Sequence, residues 1–129
     1  MKKSLKTFLL NPVLILLIFL LPSFISLIRP GFFSMHDDLQ AFRIHQMHEC
    51  FKDLQIPCRW VPDMGYQYGY PQYNFYPPSV YYLGEFFHLI GFQFIDSVKI
   101  VFALGFLVSG LSMYLFLKDY LSKWSGLIG

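Results

Sequence analysis

The sequence predicts an all-α integral membrane fold with three transmembrane helices, and three observations predict it. The chain is poor in charge, it carries long uncharged apolar runs, and lysines gather ahead of the first run. Of 129 residues, 55% are hydrophobic and 20% aromatic, while only 14% are charged, against roughly 25% in average soluble chains. A soluble fold of this size needs polar surface to cover its core. The 10 basic and 8 acidic residues do not supply it. The net charge of +2 is small and no basic cluster is interleaved with polar surface, which excludes a nucleic-acid groove.

The first element is the uncharged run at about residues 8–28, preceded by Lys2, Lys3 and Lys6 and closed by Arg29, Pro30 and Gly31. Roughly 20 apolar residues cross a bilayer core as a helix. A cleaved signal peptide has a shorter apolar region, about 7–15 residues, and a small-x-small site. Pro12 and Pro22 are tolerated in a membrane helix where neighbours re-satisfy the freed carbonyls. The three lysines place the N-terminus in the cytoplasm.

Residues 29–77 hold half of the charged residues and most of the tyrosines, and read as an extracytoplasmic loop, long enough to be functional. The second and third crossings are expected at about 78–95 and 98–117, joined by a cytoplasmic turn carrying Asp96 and Lys99. Three crossings put the C-terminus outside, where Lys118 and Lys123 run against the charge rule. In the third helix Gly105, Ser109 and Ser112 line one face, as small residues do where membrane helices approach closely. Trp124 is a candidate interfacial anchor, and the final Gly126-Leu-Ile-Gly reads as the approach to a further helix.

Within the loop, residues 34–55 separate into two arcs at 100° per residue. Leu39, Ile44, Met47, Cys50, Phe51 and Leu54 share one arc, and Asp38, His45, Glu49 and Lys52 the other. Such a helix is expected to lie in the membrane interface, apolar side down. Asp37 and Asp38 stand where the chain leaves the first membrane helix, either as a helix cap or as a carboxylate that deprotonates an acceptor hydroxyl or holds a divalent cation. His36, His45 and His48 with Glu49 raise a metal question, and Asp38, His45 and Glu49 are the candidate ligands for a magnesium or manganese ion. The HxxHE order is not that of zinc hydrolases. Cys50 and Cys58 stand eight apart, either disulfide-bonded or free.

Residues 56–82 read IPCRWVPDMGYQYGYPQYNFYPPSVYY, too rich in proline and glycine for a regular helix. The rings are either interface anchors or a platform for a sugar or polyprenyl chain, built from Trp60, Tyr70, Tyr73 and Tyr76, with Arg59 available to a phosphate. Glu85 and His88, three apart in the second apolar run, are ionisable groups at membrane depth and functional suspects for that reason.

The HDD at His36–Asp38, the PCRW at Pro57–Trp60 and the GYPQYNFYPP at Gly69–Pro78, in this order after a lysine-flanked helix, resemble the N-terminal region of bacterial polytopic membrane proteins with a 6-pyruvoyl-tetrahydropterin synthase-related membrane domain. Those proteins are similar to GT-C glycosyltransferases of the bacterial inner membrane. The resemblance implies transfer of a sugar from a polyprenyl-phosphate donor to an extracytoplasmic acceptor, with Asp37 or Asp38 as the catalytic base or metal-side carboxylate. It also implies that the chain is the N-terminal part of a larger bundle whose remaining helices complete the donor pocket. The competing expectation is a non-catalytic membrane protein, a scaffold or transporter subunit, in which the acids cap and the tyrosines anchor.

Overall fold

Among the described residues, a 17-residue apolar helix comes first and a 27-residue one near the end, with short helices of mixed polarity between them. A computed structural model describes residues 11–32, 37–122 and 124–127. They form five α-helices and a 3-10 turn: α1 (Pro12–Ile28), α2 (Gln40–Lys52), α3 (Gln72–Phe75), α4 (Ser79–Leu89), α5 (Phe94–Tyr120) and the turn Ser125–Leu127. Among the described residues there is no strand beyond a single bridge between Val61 and Tyr70. The chain divides into two units, one formed by residues 1–30 with 102–129 and the other by Gly31–Val101.

In the first unit, α1 begins where the Asn11 side chain accepts the Val13 N–H at 3.0 Å and Pro12 supplies a preset φ. It stops at Arg29, which Pro30 forces into extended backbone (φ −62, ψ 141). None of its residues is buried. Leu20 meets Gly110 and Phe24 meets Phe106 edge-on at 6.1 Å, so α1 and the C-terminal part of α5 run antiparallel. A β-carbon at Gly110 would sit 3.0 Å from Leu20 Cδ1, which makes Gly110 the point of close approach. Gly105, Ser109 and Ser112, the expected small-residue face, are exposed.

α5 is long and apolar enough to cross a membrane. Its 27 residues rise about 40 Å, more than the ~30 Å of a hydrocarbon core. α1, with 17 residues, rises about 25 Å and is a shorter apolar helix. Both keep large apolar side chains on the outside, among them Phe19, Ile28, Val108 and Phe116. Water disfavours such a surface and lipid does not.

The expected crossing at 78–95 folds differently. It is the 11-residue α4, about 16 Å long, followed by a turn through Gly91, whose φ of +111 suits glycine alone. Asp96 and Lys99, expected in a cytoplasmic turn, belong to the first turns of α5. One face of α4, Tyr81, Gly84 and Glu85, is buried in protein, while Val80, Leu83, Phe86 and Leu89 stay exposed.

The second unit is organised by α2 against α4. Tyr81 meets Gln40 and Arg43, Gly84 meets Ile44, and His48 meets Glu85 and His88, so the two helices run parallel with matched register. Gly84 permits this contact, because a β-carbon there would overlap Ile44 Cδ1. The interfacial placement expected for 34–55 is thereby corrected. Ile44, Met47 and Cys50 do form one face, but protein covers it, while Leu39 and Leu54 stay exposed. The helix proper spans Gln40–Lys52, and Leu54 lies beyond it with φ +57.

The return from α2 to α4 is tied down by a disulfide and five side-chain hydrogen bonds. Cys50 and Cys58 form a disulfide, resolving the redox alternatives. The Gln55 side-chain oxygen Oε1 accepts the Arg59 and Trp60 N–H groups at 2.8 and 2.9 Å. The buried Gln46 side chain exchanges hydrogen bonds with Asp63, donating to its carboxylate at 2.8 Å and accepting its N–H at 3.2 Å. The Tyr82 hydroxyl accepts the Cys58 N–H at 3.0 Å. Each of the hydrogen bonds satisfies a polar group that an irregular segment would otherwise leave unpaired.

Candidate functional site

The acidic pair separates into two unlike residues. Asp37 lies ahead of α2, and its Oδ1 accepts the Leu39 N–H at 3.2 Å, an Asx turn rather than a bond at the N-cap position, which Leu39 itself occupies. Its Oδ2 accepts Arg43 Nη1 at 2.5 Å. Asp38 is exposed in the following turn. The carboxylate with a built environment is therefore Asp37. His36 lies outside the described residues.

Arg43 is the residue that organises this end of the unit. Its side chain is 5% exposed and that of Asp37 35% exposed, so the pair has one buried and one accessible partner. The guanidinium also reaches the Tyr81 hydroxyl at 3.4 Å and lies 4.5 Å over the Tyr76 ring, the geometry of a cation–π contact. Burial alone would lower the Arg43 pKa, but the hydrogen bond to Asp37 and its negative charge, with Tyr81, raise it above the ordinary value. Tyr81 hydroxyl donates onward to Gln40 at 3.1 Å, and Tyr73 hydroxyl donates to the Arg43 carbonyl oxygen at 2.5 Å. Burial pushes the Tyr73 phenol well above its usual range, so it stays a neutral donor.

The expected aromatic platform is not assembled as one surface. Tyr73 is buried and structural, Tyr76 carries Arg43, and Trp60 packs over Gly69, where a β-carbon would overlap the indole. Tyr70 pairs with Phe75 at 6.2 Å and joins Val61 through two 2.9 Å backbone bonds. Arg59 is exposed. Beyond them, Tyr66 and Tyr68 are the most exposed rings, on a turn in which Gly65, Tyr66 and Gln67 all have positive φ.

The expected metal ligands do not come together. His45 faces Glu49 at 3.6 Å, and Glu49 is engaged by Lys52 at 2.9 Å, which holds its carboxyl below the usual range. Asp38 does not join them, and among the described residues no group of three or more His, Cys, Asp or Glu side chains is arranged to hold a metal ion. The Asp37 carboxylate has the Arg43 guanidinium as its cation. These residues do not fit the expected magnesium or manganese ion, and no step below is routed through one.

A second constellation joins groups the sequence presents separately. Glu85 is completely buried, its Oε1 is 2.8 Å from His48 Nδ1, and its Oε2 has no partner among the described residues. His88 stands edge-on to His48 at 4.8 Å and stacks on Phe94 at 3.8 Å. His88 Nδ1 is 2.9 Å from the Phe92 carbonyl oxygen.

Sequence reasoning singled out Glu85 and His48 but not their pairing, and it missed Arg43, Gln46 and Tyr81. A signal existed for Arg43: at 100° per residue it lies within about 40° of Met47 and Cys50, a charge inside the apolar arc. The chain matches no protein-family model, and no curated protein or solved structure matches it.

Proposed function

We propose that this chain forms part of a membrane glycosyltransferase-like protein, in which Asp37 faces the acceptor in transfer of a sugar from a polyprenyl-phosphate donor. The observation that carries the reading is the accessible Asp37 carboxylate fixed by buried Arg43 beside Tyr76 and Tyr81. In the proposed step the acceptor hydroxyl oxygen bonds to the anomeric carbon as its proton moves to Asp37. The bond from that carbon to the phosphate oxygen breaks, and the lipid phosphate leaves with the electron pair. A carboxylate held in one rotamer aims the hydroxyl, which is a positioning contribution as well as a proton-accepting one. The resemblance at HDD, PCRW and GYPQYNFYPP supports the donor class.

A topology goes with this reading. Two crossings, α1 and α5, leave the Gly31–Val101 unit outside and bring Lys118 and Lys123 to the same side as Lys2, Lys3 and Lys6, in agreement with the charge rule that three crossings violate. The Cys50–Cys58 disulfide supports an oxidising compartment for that unit. A fluorescent-protein fusion placed after Tyr120 should glow and an alkaline phosphatase fusion there should be inactive; the reverse pattern restores the third crossing.

The activity is tested with the full-length protein in membranes and labelled polyprenyl-phosphate sugars. Asp37→Asn combined with Arg43→Met removes both charges together. The expected result is loss of transfer by about 100-fold or more, as for removal of a proton acceptor, with normal insertion. Transfer that survives this double change makes Asp37 structural. The non-catalytic reading has its own support, since Asp37 already serves an Asx turn and an ion pair. No transfer from any donor, with the wild-type protein, would favour it.

A further inference from the structure

The turn at residues 62–70 carries the most exposed aromatic rings among the described residues, and it is braced on every side. Its base is the Val61–Tyr70 bridge, with two 2.9 Å backbone bonds, and it closes where the Gly69 N–H donates to the Met64 carbonyl oxygen at 2.9 Å. The Asp63 carboxylate accepts the buried Gln46 amide at 2.8 Å, and the Trp60 indole lies against Gly69. Within this frame Tyr66 and Gln67 take left-handed backbone, with φ 56 and 71, a conformation disfavoured for residues that carry a β-carbon. Such outliers persist where the surrounding structure over-determines them, and they gather at binding sites. What this turn presents is Tyr66 and Tyr68, 97% and 88% exposed. The adjoining corner, where the Gln55 side chain holds the Arg59 and Trp60 N–H groups, leaves Leu54 and Ile56 exposed as well.

We propose that this segment is a membrane-contacting finger whose occupant is the phospholipid headgroup interface, with Tyr66, Tyr68 and Trp60 at headgroup depth and Arg59 on a lipid phosphate. Three observations select lipid. The Gly31–Val101 unit follows α1 and ends within α5, two helices whose exposed apolar surface suits lipid, so a bilayer is available to it at high effective concentration. The exposed rings are tyrosine and tryptophan, whose apolar body and polar tip suit the boundary between headgroups and acyl chains. The charge also matches. Between residues 54 and 70 the one acid, Asp63, is engaged by Gln46, while the one cation, Arg59, is exposed and makes no ion pair among the described residues. A guanidinium in that setting pairs readily with phosphate. The finger does not depend on the sugar-transfer reading.

The test uses the full chain in liposomes of phosphatidylcholine and phosphatidylglycerol. Cys50 and Cys58 are joined, so Tyr66→Cys and Tyr68→Cys each offer one free thiol to a nitroxide label, and at positions this exposed the change removes little packing. Relaxation of the label by lipid-soluble oxygen and by a water-soluble nickel chelate reads its surroundings. A spin-labelled phospholipid sets the headgroup scale, and a free peptide of residues 62–70 bearing the same label sets the water limit. Both labelled positions should show the headgroup pattern, with nickel accessibility lowered and oxygen favoured relative to the peptide. Arg59→Gln should shift both back toward the water limit. Nickel accessibility equal to that of the peptide overturns the finger. Low accessibility to both reagents overturns it as well, because protein and not lipid then covers the tip. A headgroup pattern unchanged by Arg59→Gln overturns the assignment of Arg59 to phosphate.

Discussion

Replacing Asp37 by Asn alone should cost about 3 kcal/mol of stability, most of which returns when Arg43→Met is added. The single change keeps an acceptor for the Leu39 N–H, since Asn serves such turns about as well as Asp. What it removes is the counter-charge of a guanidinium with 5% exposure. Breaking a buried pair from one side costs about 3–5 kcal/mol because the remaining charge is left desolvated. The low end applies because Asp37 is 35% exposed, so water already screens part of the interaction. Arg43 provides no escape by losing its proton. Its raised pKa keeps the stabilising charge in place at every pH below the ordinary guanidinium value, to be lost only as pH rises through the still higher folded value. Removing both charges leaves two neutral side chains of similar bulk, a change that is often near neutral. Urea unfolding of the full chain in detergent, followed by Trp60 fluorescence, measures both variants. An Asp37→Asn protein as stable as wild type would mean that the ion pair does not organise the start of α2. The same pair of variants protects the transfer assay from confusion between a lost base and a lost fold.

The second large effect is expected at the disulfide. Cys50 and Cys58 close a loop with a sequence separation of 8, and the chain-entropy estimate for so short a loop is about 2.5 kcal/mol. Changing both cysteines to serine should lower the unfolding free energy by that amount and loosen the segment whose backbone Gln55 collects at Arg59 and Trp60. Both sulfurs belong to buried residues, so serine hydroxyls there add a desolvation cost to the entropic one. Hydrogen exchange at residues 55–61 and the shift in urea midpoint report the two contributions. Unchanged midpoint in the double serine variant would show that the segment is held by Gln46, Gln55 and Tyr82 without the covalent link.

What was legible in the sequence follows from composition and one-dimensional spacing. The apolar helix α1 and the apolar part of α5 at 98–117 were readable because apolar runs of that length stand out in one dimension, whereas the first turn of α5, from Phe94 through Asp96, reads as the end of another crossing and a turn. The face formed by Ile44, Met47 and Cys50 was readable from the helical period. The sequence also placed Asp37 just ahead of a helix and marked Glu85 as an ionisable group in an apolar stretch.

Only the tertiary structure decided what those faces meet. Burial against protein and burial in lipid leave the same apolar pattern, so 78–95 looked like a crossing although α4 is short and packs on α2. The distinguishing residues are Gly84, which gains its meaning from Ile44 on another helix, and Glu85, which gains it from His48. Arg43 and Tyr81, 38 positions apart, meet across the same contact. The expected metal set shows the reverse case: His45 and Glu49 are neighbours on α2, but among the described residues Asp38 is not grouped with them. Periodicity places side chains on one element, and the pairing of elements, which sets every partner of a buried charge, depends on long-range packing that no local pattern encodes.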